Sequence, residues 1–70
     1  MKKICTLRKA FNDGGRTTVE FVEVSASKHR EIRREMLFDG SLNLSIQNNL
    51  SREQIDRDIA LYMEQGYKKF

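Results

Sequence analysis

Seventy residues with a single cysteine, Cys5, predict one small domain over residues 1–70 that has no internal disulfide. Thirteen Lys and Arg residues against ten Asp and Glu residues give a net charge of +3, which is too modest a bias to identify a partner by itself. No apolar run approaches the roughly 18 residues that span a bilayer, so we expect a cytoplasmic protein with no membrane partner. A chain this short has a thin margin of stability, and burial against another copy or another protein would add to it.

The first part of the chain predicts a β-hairpin. Residues 3–9 and 17–24 are rich in β-branched and aromatic types, and the sequence Asn-Asp-Gly-Gly at 12–15 tolerates the positive φ angles of a turn. Both faces of the second strand are partly apolar, since Val19 and Phe21 alternate with Val22 and Val24. This pattern predicts a surface that pairs with another chain, and a β-bulge or ordinary scattered surface residues are the alternatives.

Residues 28–38 predict a first helix, which Ser25 or Ser27 can cap and which ends before Gly40. Its charges are unusual, because Lys28, His29 and Arg30 occupy the turn where the helix dipole favours negative charge. Four-residue spacing also places Arg30 near Arg34, and Glu31 near Glu35, so like charges repel. Such local inconsistency is common at functional sites.

The last part of the chain predicts a third strand and a second helix. Leu42, Leu44 and Ile46 alternate with polar residues, which is the period of a strand with one buried face. Ser51 and Gln54 form a capping box at the start of the helix, and Gly66 is the residue expected after its end.

The element order β-β-α-β-α predicts an α+β fold in which a three-stranded antiparallel sheet carries two helices on one face. The third strand would run parallel to the second and lie beside the first. The predicted core comprises Ile32, Met36, Leu42, Leu44, Ile46, Ile55, Ile59 and Met63.

The candidate binding residues are basic side chains of the first predicted helix together with Phe21 of the hairpin face. Arg30, Arg33 and Arg34 would fall within an arc of roughly 100° on that helix, with Lys28 at its start. Arginines in such an arc can form bidentate contacts with carboxylates or phosphates. A solvated charged face is the simplest alternative, and Glu31 and Glu35 at its border would repel a nucleic-acid backbone.

We therefore expect a small non-catalytic binding protein that acts through self-association, for example as a homodimer, or through an acidic protein partner. The alternative is a nucleic-acid-binding regulator that uses the basic first helix. Cys5 and His29 are the only nucleophile and base of their kinds and have no reason to meet, so we expect no catalytic or metal site, no cofactor and no small-molecule substrate. The length and mixed basic surface resemble those of accessory proteins of phages and mobile elements, although no motif carries that resemblance.

Overall fold

The computed structural model describes residues 2–70 and contains one antiparallel sheet and one helix. The five strands have the spatial order β4-β3-β2-β1-β5, and each neighbouring pair is antiparallel. In chain order the elements are β1 (Lys2–Ala10), β2 (Arg16–Ser25), β3 (Lys28–Met36), β4 (Leu42–Leu50), α1 (Arg52–Glu64) and β5 (Lys68–Lys69). No helix within residues 2–70 is long and apolar enough to cross a membrane.

The predicted first helix is wrong, because Lys28–Met36 forms the strand β3. Only Ala26 and Ser27 separate it from β2, which is the connection length of a tight hairpin. Strand β3 pairs with β2 on one side and with β4 on the other, so its backbone is hydrogen-bonded along both edges. On a strand, residues four positions apart are separated by about 13 Å, so the like charges that would repel on a helix are no longer close together.

The prediction of a three-stranded sheet with two helices is therefore also wrong, and so is the predicted strand order. The predicted hairpin is confirmed as β1 and β2, but β4 pairs antiparallel with β3 and lies at the opposite side of the sheet from β1. The place beside β1 is taken by the short strand β5. Two-residue and five-residue connections make β1 to β4 a simple meander, so no crossover helix is needed.

The prediction of the C-terminal helix is confirmed. The Ser51 side chain accepts a hydrogen bond from the backbone N–H of Gln54, and the Gln54 side chain accepts one from the backbone N–H of Ser51. Gly66 follows the helix with a φ of 98°, a left-handed conformation that glycine adopts without a steric cost.

The core lies between α1 and one face of the sheet. Phe21, Leu7, Val19 and Ile55 are completely buried, and Tyr67 joins them beside Tyr62. Much of the predicted core is wrong, because one helix covers the sheet only in part and the apolar side chains Leu42, Leu44 and Ile46 of β4 point away from it. The exposed members of that predicted core are Met36, Leu42, Leu44, Ile46 and Met63, whereas Ile59 packs at the edge of the real core.

Candidate functional site

The face of the sheet opposite α1 is not covered by any element of residues 2–70, and we call it the open face. Side chains alternate along each strand, and directly paired residues of neighbouring strands point to the same side. Since Val19 and Phe21 of β2 point into the core, Thr18 and Glu20 point to the open face. Their partners in the ladder extend this face across the whole sheet.

Positive charge is concentrated on the open face. Only one of the ten acidic residues, Glu20, belongs to it, and its carboxylate lies 3.7 Å from the Lys3 ammonium. The other nine lie in the turns, on the helix-covered face or on α1. Seven of the thirteen basic residues lie on the open face: Lys3, Arg8, Arg16, Lys28, Arg30, Arg34 and Lys68.

Across β5, β1, β2 and β3, one row of paired residues consists of hydrogen-bond donors, and on β4 this row ends at Leu44. Arg8 of β1 is opposite Thr18 of β2, and Thr18 is opposite Arg34 of β3. On its other side Arg8 pairs with Lys68 of β5. With strands about 4.8 Å apart, the backbones of the two arginines are separated by about 10 Å.

A shallow depression of about 590 Å³ surrounds one end of this row. Its basic lining includes Arg8, Arg16 and Arg34, and none of its lining residues is acidic. Met36 and Leu42 form an apolar border on the side of β4. The depression therefore combines a concentrated positive charge with a partly apolar wall.

The arginines of the depression are positioned by uncharged groups. The Arg8 guanidinium carbon lies 3.7 Å from the ring centroid of Phe70, and the Phe70 backbone N–H donates to the carbonyl of Thr6 at 2.9 Å. Arg16 Nη2 lies 3.9 Å from the sulfur of Met36. Within residues 2–70, no carboxylate forms an ion pair with Arg8, Arg16 or Arg34. Their charge is thus directed to solvent without neutralisation by the protein.

The structure places the candidate residues predicted from the sequence on different faces of the sheet. Lys28, Arg30 and Arg34 share the open face, because a strand places every second residue on the same side. Arg30 Nε also donates to Asn48 Oδ1 of β4 at 2.6 Å. Arg33 points to the helix-covered side, so the single helical arc of three arginines does not exist, and Phe21 is buried in the core.

Sequence reasoning missed Arg8, Arg16, Lys68 and Phe70. Arg8 and Arg16 lie in the correctly predicted hairpin, but only the ladder register shows that they share a face with Arg34. Lys68 and Phe70 reach that face through β5, which is too short to leave a pattern in the sequence. The available signal was the alternation of Thr6, Arg8 and Ala10, which share one face of β1, with Cys5, Leu7 and Lys9.

A second, smaller cleft of about 300 Å³ lies between α1 and strands β3 and β4. Burial, reinforced by the negative charge of Asp58, raises the pKa of the Glu31 carboxyl above its ordinary value. Burial and the charge of Glu31 likewise raise the pKa of the Tyr62 hydroxyl. The charged groups of this cleft therefore mainly interact with one another.

His29 is buried at the other end of β3, with its Nδ1 3.1 Å from the carbonyl oxygen of Leu50. Within residues 2–70 there is no group of three His, Cys, Asp or Glu side chains that could hold a metal ion. No family model, curated protein or solved structure matches the chain, so the functional argument rests on the geometry of the open face.

Proposed function

We propose that the protein binds nucleic acid through the open face, with backbone phosphates bound by the basic row and depression. The observation that carries this proposal is the separation of charge, which places seven basic residues and one acidic residue on a single face. A surface of this kind attracts polyanions and accelerates their association.

The donor chemistry of the row supports phosphate as the group that is bound. Arginine presents a planar fork of N–H donors that fits phosphate oxygens, threonine adds one O–H donor, and lysine adds a compact ammonium with three N–H donors. Lys68, Arg8, Thr18 and Arg34 supply all three types along one line across the sheet. A sheet face with several such donors can contact consecutive phosphates of a nucleic-acid backbone.

An acidic protein surface would also be attracted to this charge, and such a partner, or a second copy of the chain, is what the sequence predicts. Protein interfaces usually gain most of their binding energy from an apolar or aromatic anchor at the centre of the contact. In the basic row the central residue is Thr18, and the apolar side chains Met36 and Leu42 lie at the border. This arrangement favours a polyanion over a protein surface.

The proposal is tested by titrating labelled duplex DNA, single-stranded DNA and single-stranded RNA with the protein at several salt concentrations. We expect affinity to fall linearly with salt on a log-log plot, with a slope of about 0.9 per phosphate for duplex DNA and about 0.7 for single strands. The exposed ring of Phe70 beside Arg8 favours tighter binding of single strands, on whose bases it can stack. Affinity that does not change with salt, or the absence of binding to all three probes, would refute the proposal.

A further inference from the structure

We propose that two copies of this chain pair through β4, so that the two sheets join edge to edge across a two-fold axis at Leu44. This inference is independent of nucleic-acid binding. It rests on the backbone edge and the apolar side chains of β4, whereas the proposed function rests on the basic side chains that the other strands place on the open face.

Strand β4 is a long and uncovered edge. It is the terminal strand of the sheet, and all of its residues except Leu50 are exposed. On an edge strand, every second residue directs its backbone N–H and C=O away from the sheet, where a further strand can accept and donate hydrogen bonds. The opposite edge differs, because β5 has only two residues.

The edge of β4 carries no charged side chain and no proline. Residues 41–51 are all uncharged in a chain of which 33% is charged. Natural sheets usually protect a free edge with lysine or another charged residue, or with proline, so the absence of all of these over a whole strand indicates an edge that is paired. Two copies that each carry a charge of +3 can approach here without placing like charges opposite each other.

The side-chain pattern of β4 is complementary to itself. Leu42, Leu44 and Ile46 point to the open face and are 67%, 64% and 49% exposed. A two-fold axis perpendicular to the sheet keeps the two open faces on the same side. With the axis at Leu44, Leu42 lies opposite the partner's Ile46, and Leu44 lies opposite the partner's Leu44.

The register with its axis at Leu44 buries more apolar side chains than the registers whose axis is shifted by one residue. It forms three apolar cross-strand pairs, and on the other face it pairs Asn43 with the partner's Ser45, which are both polar. An axis at Ser45 would instead place Leu42 opposite the partner's Asn48. In the register centred on Leu44, the two copies form one ten-stranded sheet with both basic depressions on the same side.

The first test is sedimentation of the wild-type chain and of two lysine variants over a range of concentrations. We expect a wild-type dimer, and we expect Leu44→Lys to raise its dissociation constant about 100-fold, because two ammonium groups would meet at the axis. That factor corresponds to about 2.8 kcal/mol at 1.4 kcal/mol per tenfold. The matched control is Leu61→Lys on α1, where the side chain is 49% exposed, and its dissociation constant should stay within about threefold of wild type.

The second test mixes Leu44→Lys with Leu44→Glu, each of which should be monomeric and folded by circular dichroism. An equimolar mixture should form a heterodimer, because opposite charges then meet at the axis. A wild-type chain that is monomeric up to millimolar concentration would overturn the proposal. So would equal loss of the dimer in Leu44→Lys and Leu61→Lys, or a mixture of the two Leu44 variants that stays monomeric.

Discussion

Replacing both Arg8 and Arg34 by glutamine tests the contribution of the basic row to nucleic-acid binding. If each of the seven basic residues of the open face neutralises one phosphate, the log-log salt slope for duplex DNA has a magnitude of about 6, at about 0.9 per phosphate. Removing two contacts lowers the magnitude to about 4.5. Between 50 and 200 mM salt, affinity would then fall roughly 6,000-fold for wild type and roughly 500-fold for the double variant.

The assay is fluorescence anisotropy with one labelled duplex at four or more salt concentrations. The matched control is Arg52→Gln with Arg57→Gln, which removes the same charge from exposed positions on α1. Exposed charges contribute little to stability, so both double variants should unfold at the wild-type urea concentration. Equal salt slopes for the two double variants would show that overall charge, and not the open face, determines binding.

Two further predictions concern stability. Because the pKa of Glu31 is raised in the folded protein, the stability that its neutral form provides is present below pH 4.5 and is lost as pH rises through the folded-state pKa. The stability of Glu31→Gln relative to wild type should therefore increase between pH 4 and pH 7 in urea denaturation, and a constant difference would contradict this. Leu7→Ala should cost about 2–5 kcal/mol because Leu7 is fully buried, whereas Leu42→Ala should cost under about 1 kcal/mol in the monomer at low concentration. Similar thermal melts for these two variants would contradict the placement of the core under α1.

The parts of the fold that depend on neighbouring residues could be predicted from the sequence. The start of α1 depends on Ser51 and Gln54, which are three residues apart, and its end depends on Gly66. The hairpin of β1 and β2 follows from two runs of strand-forming residues around a flexible turn. In each case the interactions that specify the element lie within a few residues of one another or across one short turn.

Local sequence patterns are therefore sufficient to predict α1, the first hairpin and the basic character of the chain, whereas β3 and the candidate site depend on the pairing of strands that are distant in the chain. Lys28–Met36 has too few apolar residues for its period to distinguish helix from strand, and pairing with β2 and β4 decides its conformation. The same pairing brings Arg8 and Arg34 from separate strands into one row and leaves β4 at the edge. Contacts between residues distant in the chain depend on the register of several strands at once, and no local pattern contains that register.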